Sequence, residues 1–539
     1  MSGTSQRKAA EDPPLLKGNF GKAGWRSPRP RAENGMMSKM HPLAALDLEY
    51  VWHPFTQMRD WLRAEPIVLV EGDGAVLRDV KGRSYLDANS SIWTNLHGHN
   101  HPKINAALRG QLKKVAHTSA LGLASGPASL LAANLVGLAN AKLPSSRMIA
   151  QDASAITKCF FSDDGSTAME VALKLAYEFA RRSGSSRRPK FLSLKGAYHG
   201  DTVGAVSLGH IDLFHAAWSG LLFKTDKVTA PYCYRCPYNR AKPERADARD
   251  YRECEWECLR GLEQKFEGQK KKGESYAAFV FEPLIQGAAG MIPQPAGWLK
   301  QATDMAGSFG AQLIADEVMT GFGRTGILPV SDRPSKGRRS VNTKKADWQN
   351  ACPTLFACHK ENVRPDFIAI AKGLTGGYLP MAATLTTQPV FDAFLGEYHE
   401  FRTFFHGHSY SGNQLGASAA LASLQILRGG ASVRARKDLE RALADELKSL
   451  WALPVVGDIR QVGLIAGIEL VRNWKTREPF ELKEQAGIRV CQAMAHRGVL
   501  TRPIGNVIVL MPPYCTTRAQ LRKIVTALRE ALEQSLMNK

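Results

Sequence analysis

From about residue 155 the chain alternates short apolar runs with stretches of helical period, and this alternation constrains its fold more than any other feature. "ITKCFFS" is followed by "TAMEVALKLAYEFARR" and then "KFLSLKG". Further on come "YAAFVFEPL", a helical pattern near 297–309, "AQLIADEV", "DFIAI" and "AATLTT". Runs this apolar are strands buried on both faces, and the helices between them supply the crossovers that a parallel sheet needs. The expected class is α/β, with a large domain built on a mostly parallel sheet. After about residue 385 the pattern changes. Long amphipathic helices, "NQLGASAALASLQIL" and "ARKDLERALADELKSL", precede the short strands "GLIAGIEL" and "VIVLMPPY". This reads as a smaller α+β domain. The hairpin-like strands of "IVLVEGDGAVLRDVKGRSYLDA" are expected to join it, so that the small domain is built from both chain ends. The boundaries expected are a basic disordered tail over 1–45, small domain over 46–104, large domain over 105–385 and small domain again over 386–539.

Charge raises the question of nucleic acid. The net charge is +21 over 539 residues, but residues 1–40 carry eight Lys/Arg against three Asp/Glu, and residues 328–359 six against two. Both segments are rich in Pro, Ser and Gly, so they read as a tail and as an inserted basic loop, placed at 328–354. Elsewhere the surplus is spread over a large body. No basic stripe interleaved with aromatics is present, so no nucleic-acid partner is expected. No apolar run approaches the length needed to cross a bilayer. "MSGTSQRKAAEDPP" lacks the apolar stretch of a secretory signal, and Glu11, Asp12 and Glu33 argue against a transit peptide. Met36, Met37 and Met40 leave a later start open, and the cytoplasm is the expected compartment. Nine cysteines do not make a disulfide scaffold. Four of them, Cys233, Cys236, Cys254 and Cys258, fit either a structural zinc or reduced thiols in a surface excursion.

In α/β sheets ligands gather at the carboxyl ends of strands, and four signals fall there. In "SDDGSTAMEVALK" a strand ends and Gly165 and Ser166 open a helix, which makes either an ordinary N-cap or an anion site. In "GAYHGDT", Tyr198 is placed to stack on a flat ring, unless the segment is only a turn held by its glycines. In "LIADEVMTGFGRTG" an apolar strand runs into Asp316 and Glu317. Buried acids are costly unless paired. The partner is either an ion such as Arg324 or a ring nitrogen that the carboxylate keeps protonated. In "FIAIAKGLTGG" an apolar run ends at Lys372. Its amine either snorkels to water or is kept neutral for covalent chemistry. A phosphate cradle, a stacking ring, a carboxylate and a lysine together fit pyridoxal 5′-phosphate.

"IADEVMTGFGRTG" with "AKGLTGGYLP" resembles the class III, ω-type aminotransferases of fold type I, over about residues 48–535 with an interruption near 328–354. Within that class, "VWHPFTQM", "SSIWTNLHGHNHP", "YHGDT", "TFFHGHSYSGNQLG" and "LTRPIGNVIVLMPPY" are similar to the branch that serves biotin synthesis. The resemblance implies conversion of 8-amino-7-oxononanoate to 7,8-diaminononanoate, with S-adenosylmethionine or lysine as amino donor. It implies that Lys372 forms the imine with the cofactor and shuttles a proton. Asp316 would pair with the pyridine nitrogen, Tyr198 would stack on the ring, and Gly165 and Ser166 would bind phosphate. Ser409, where threonine is commoner, would reach the cofactor of the neighbouring subunit, so a homodimer with shared active sites is expected. Phe55, Trp93 and Gly407 would line the substrate pocket, and Arg502 would hold a substrate carboxylate in a two-pronged pair.

Three positions depart from that branch. Phe55 replaces a tyrosine, Ile92 a second tryptophan and Val509 an aromatic residue. All lie around the donor and acceptor pocket, which leaves S-adenosylmethionine and lysine both open. The alternatives are another ω-aminotransferase, acting on 4-aminobutyrate, ornithine or diamines, and a basic binding protein that keeps the fold. His97, His99 and His101 alternate in "LHGHNHP", but Gly and Pro make this a loop, and no metal is expected there or at His406 and His408.

Overall fold

The computed structural model describes residues 40–141, 152–326 and 355–537. The basic insertion at 328–354 and the tail up to residue 39 lie outside the described residues. The chain divides into two compact units, residues 1–70 with 79–82, and residues 71–78 with 83–539.

In the first unit, Pro42 opens the helix Pro42–Tyr50, where a missing N–H costs nothing. Asp47 on this helix gathers the chain that follows. Its Oδ2 accepts from the Trp61 indole at 3.1 Å and lies 2.9 Å from His53 Nε2.

The second unit holds a seven-stranded sheet. Its order is Ile156–Ser162, Ala382–Thr387, Phe367–Ile370, Gln312–Asp316, Tyr276–Phe281, Lys190–Leu194 and Asp226–Val228. Ala382–Thr387 runs antiparallel to both of its neighbours, and the other pairings are parallel. Strand residues alternate between two cores, as the period of two requires. Ala278, Val280 and Ile314 face the apolar side of the helix Gly165–Arg182. Phe279, Phe281, Leu313 and Ala315 face Leu262 and Phe266 of Glu257–Lys270 and Leu299 of Trp298–Ser308. This is the fold type I arrangement, an α/β sheet buried on both faces. Its carboxyl edge therefore collects residues from five separate loops.

A second sheet runs Val456–Val462, Ile465–Asn473, Val507–Leu510 and Pro503–Ile504, all antiparallel. Its first strand has no counterpart in the sequence reading, because "VGDIRQV" carries charges at strand-interior positions. Those charges are paired. Arg460, fully buried, donates from Nη1 to Asp458 at 3.0 Å and to Glu469 at 2.6 Å, and from Nε and Nη2 to the Gly290 carbonyl. Glu469 also takes Arg235 Nε at 2.6 Å and the Tyr232 hydroxyl. The two ends of this unit meet where Ser84–Asp87 pairs in parallel with Val499–Leu500. Among the described residues no helix is long and apolar enough to cross a membrane.

Removing one partner from a buried ion network strands the others in a low dielectric, at about 3–5 kcal/mol. Arg460→Ala is expected to lower the unfolding free energy by that amount. A loss below about 1 kcal/mol in denaturant titration would show that the network carries little stability.

Candidate active site

A cleft of about 450 Å³ opens at the carboxyl edge of the large sheet. Gly165 and Ser166 reach it from the loop after Ile156–Ser162, and Tyr198 and His199 from the loop after Lys190–Leu194. Glu282 follows Tyr276–Phe281, Asp316 ends its own strand, and Lys372 follows Phe367–Ile370. Trp93 closes the wall beside the lysine, with Lys372 Nζ 4.7 Å from the ring centroid.

Burial draws the Lys372 amine below its ordinary pKa, and the charges of Asp316, Glu282 and Asp201 oppose that shift. The neutral amine, the form that attacks a carbonyl, is thereby favoured. Lys372 has a φ of +35°, a left-handed conformation that non-glycine residues rarely adopt and that tends to occur at functional positions. Asp316 is fixed from two sides. Its Oδ1 accepts from Val318 N–H at 3.0 Å, and its Oδ2 lies 2.8 Å from His199 Nδ1. His199 Nε2 is buried without a hydrogen-bond partner. Glu317, next to Asp316, points away from the cleft. It accepts from the N–H groups of Ala357 and Cys358 and from the Thr320 hydroxyl. Arg324 therefore pairs with neither acid, and its Nη1 donates to the Pro512 carbonyl at 2.9 Å.

The helix Gly165–Arg182 also begins at the cleft. Asp164 caps it by accepting from Thr167 N–H at 2.9 Å. A Cβ at Gly165 would lie 2.8 Å from Val318 Cγ1, so the helix start can sit this deep only with glycine. Gly200, at φ +119°, lets the next loop close over Ser166, whose Oγ accepts from Asp201 N–H at 3.1 Å. Tyr198 is tied through its hydroxyl to Asp201 at 2.7 Å, and its ring stacks near His215 at 6.1 Å.

Two features of the cleft escaped the sequence reading. Glu282 in "VFEPL" carries the same signal as Asp316, an acid at the end of an apolar run. Its Oε2 accepts from Gly287 N–H at 2.7 Å. Burial raises its carboxyl to about 7, with Asp316 pushing the same way and His199 opposing. The second is the turn Ser90–Trp93, where four consecutive residues have φ between +45° and +69° and none is glycine. Left-handed backbone costs roughly 1–2 kcal/mol per residue, and no local pattern announces it.

The remaining expected residues lie elsewhere. Gly407 and Ser409 line a separate cavity of about 1050 Å³, and the Ser409 carbonyl accepts from His117 Nε2 at 2.8 Å. Arg502 is exposed, just before Pro503–Ile504 and within electrostatic reach of Cys491, and does not line the cleft. Val509 packs with Met319 and Ile285 beside Trp93, whereas Ile92 is exposed. Phe55 belongs to the first unit and is exposed there. His97 pairs with Ser423, His99 with Asp87, and His101 caps the helix Pro102–Leu112. Asn239 draws the two cysteine pairs together, donating to the Cys233 carbonyl and accepting from Glu253 N–H. Among the described residues, however, no group of three or more His, Cys, Asp or Glu is placed to hold a metal.

A buried amine and a fixed carboxylate at the ends of adjacent strands, with a helix N-terminus lining the same cleft, make the arrangement the aminotransferase motifs imply. The profile of the family Aminotransferase class-III matches residues 59–330 and 351–532. The chain belongs to the class III aminotransferases. The break in the match falls within the basic insertion. Among curated relatives, this class III chain is 43% identical over 486 residues to the adenosylmethionine-8-amino-7-oxononanoate aminotransferase of Geobacter sulfurreducens, covering 90% of this chain and 96% of that one. The protein of the same name from Nitratidesulfovibrio vulgaris is 44% identical over 497 residues, covering 92% and 82%. A crystal structure of the Methanocaldococcus jannaschii protein of that name superposes with a TM-score of 0.76 at 36% identity, covering 92% of this chain and 99% of that one. A PLP-bound amine transaminase from an uncultivated Pseudomonas species gives 0.75 at 31% identity, covering 90% and 99%.

Glu282 gives the aminotransferase a pH signature. A carboxyl raised on folding contributes stability that is full below its ordinary value and is lost as the pH rises through about 7. Between about pH 5 and pH 8, cofactor-free Glu282→Gln is expected to lose up to about 3 kcal/mol less stability than the parent. Equal slopes for the two proteins would mean that Glu282 is ionised throughout.

Proposed function

We propose that this class III aminotransferase transfers an amino group to 8-amino-7-oxononanoate, giving 7,8-diaminononanoate for biotin synthesis, with pyridoxal 5′-phosphate as cofactor. The observation that carries the reading is Lys372 after one strand and the Asp316–His199 pair at the end of its neighbour, both lining one cleft. The substrate follows from the names of the relatives at 43% and 44% identity.

The residues present fit the cofactor. Bound pyridoxal 5′-phosphate supplies an aldehyde and an electron sink. The Lys372 amine, which burial favours in its neutral form, would be the group that holds the aldehyde, and Nζ would carry the proton to and from the substrate carbon. Asp316, anchored by Val318 and His199, would hold the proton on the ring nitrogen. Tyr198, its hydroxyl tied to Asp201, would cover the ring. Gly165 and Ser166 present a helix N-terminus to the phosphate, where backbone N–H groups and the helix dipole favour a dianion. Trp93 would shape the substrate side. Arg502, to which the resemblance gives the acceptor's carboxylate, does not line this cleft. The donor is S-adenosylmethionine or lysine. Assaying 8-amino-7-oxononanoate with each donor tests the reading, which fails if neither yields 7,8-diaminononanoate. Borohydride is expected to fix the cofactor to Lys372. Asp316→Asn is expected to bind cofactor yet lose at least about a hundredfold in kcat, because an amide cannot hold the ring proton.

The working form is a cytoplasmic homodimer in which Ser409 and Gly407 complete the neighbour's site. Support comes from the second cavity. It carries a Ser409 that does not reach its own chain's cleft, and it is bordered by exposed Leu121 and Phe405, at 87% and 76% of full exposure. Mixing inactive Lys372→Ala subunits with inactive Ser409→Ala subunits is expected to restore part of the activity, since one site in each mixed dimer has neither defect. No recovery despite demonstrated subunit exchange excludes the cross-subunit role.

A further inference from the structure

Asp87 lies outside the cleft, and nothing above gives it a part in the reaction. It is nevertheless the hub of the left-handed turn that carries Trp93. Its Oδ1 accepts the N–H groups of Asn89 at 3.2 Å and Ser91 at 3.0 Å, and its Oδ2 accepts the Ser91 hydroxyl at 2.9 Å. His99 Nε2 completes the set at 3.0 Å. Asn95 Nδ2 lies 3.1 Å from His99 Nδ1, so the ring accepts from the amide there and donates to Asp87 through Nε2. Burial works against the Asp87 charge, but the hydrogen bonds of His99 and Ser91 outweigh it and hold the carboxyl below the usual range.

The carboxylate thus binds the backbone on both sides of Ser90 while the chain passes through φ values of +45°, +47°, +63° and +69° at Ser90, Ser91, Ile92 and Trp93. A β-branched residue in this region, such as Ile92, is a marked outlier that the surroundings must impose. The turn closes with Trp93 N–H on the Asn89 carbonyl and the Trp93 indole on Asn89 Oδ1, both at 2.9 Å. The Ser90 hydroxyl also donates to the Met511 carbonyl at 2.7 Å, and the turn so held sets the Trp93 indole beside Lys372 Nζ.

We propose that Asp87 is a positioning residue of the reaction, holding the left-handed turn Ser90–Trp93 so that the indole of Trp93 stays against the Lys372 amine and walls the acceptor's side of the cleft. The kinetic part of its test rests on the substrate reading above, and the spectroscopic part does not. In purified holoenzyme, Trp93→Phe defines the near-ultraviolet circular dichroism that a fixed Trp93 contributes. Asp87→Asn is expected to remove more than half of that contribution. It is also expected to raise KM for 8-amino-7-oxononanoate about tenfold, with a smaller change in kcat. Combined with Trp93→Phe it should add little further loss, since both changes remove one contact. If Asp87→Asn does not fold, Ser91→Ala, which deletes one of the four bonds to Asp87, is read the same way at smaller amplitude. Retention of the Trp93 signal in the folded variant, or penalties that multiply in the double variant, overturns the proposal. If the substrate reading alone is wrong, turnover is missing in the parent too, while the dichroism result still decides the role of Asp87.

Discussion

Desolvation of the Lys372 amine is the constraint on which the site depends. An ammonium in the sheet's apolar edge would be costly, so the edge either keeps the amine neutral or surrounds it with anions. It does both in part. Burial lowers the amine's pKa, and Asp316, Glu282 and Asp201 pull it back. The balance leaves a group able to lose and regain a proton without leaving its place. Each of those acids is in turn restrained by the loop that brings it. Asp316 is held by Val318 and His199, Glu282 by Gly287, and Asp201 by its links to Tyr198 and Ser166. The parallel sheet makes this possible, because only at its carboxyl edge do five consecutive loops converge.

The two carboxyls nearest this chemistry sit at the ends of adjacent strands but differ in state. Asp316 is braced by His199, whereas Glu282 is raised to about 7 by burial and by the negative charge of Asp316. The raised Glu282 carboxyl keeps its proton to a higher pH than a free carboxyl does, and Gly287 N–H holds it in place. When ionised, Glu282 favours the Lys372 ammonium, as Asp316 and Asp201 do.

Much of this was legible in the sequence because it depends on local pattern. Unbroken apolar runs marked the strands, and the residues that end them, Lys372, Asp316 and the Gly165–Ser166 pair, marked the edge. Asp316 and Glu317 could not be told apart by pattern alone. Their opposite directions follow from strand alternation, which sends Glu317 to the N–H groups of Ala357 and Cys358. Glu282 was missed although its signal matched that of Asp316, because "FEP" gave no second feature to weigh with it. The strand Val456–Val462 was missed because Asp458 and Arg460 looked like surface charges, and only tertiary pairing with Glu469 makes them interior. The left-handed turn at Ser90–Trp93 has no sequence signature, since glycine or asparagine would be expected at such angles and only Asn89 precedes it.

That turn shows how the edge is closed on its fourth side. The loops after the strands supply the amine, the acids and the helix N-terminus, and the ring nearest the amine, Trp93, comes from outside them. The wall comes from Ser84–Asp87, a strand outside the large sheet that pairs with Val499–Leu500 near the other end of the chain. Four left-handed residues turn the chain out of that strand, and Trp93 lands against the amine. The conformational cost, roughly 1–2 kcal/mol per residue, is offset by a buried carboxylate with four donors, each charge-assisted bond contributing about 1.5–3 kcal/mol. The strained segment is therefore held by Asp87 and by the Ser90 hydroxyl on the Met511 carbonyl, and the strain is spent on placing a single aromatic ring.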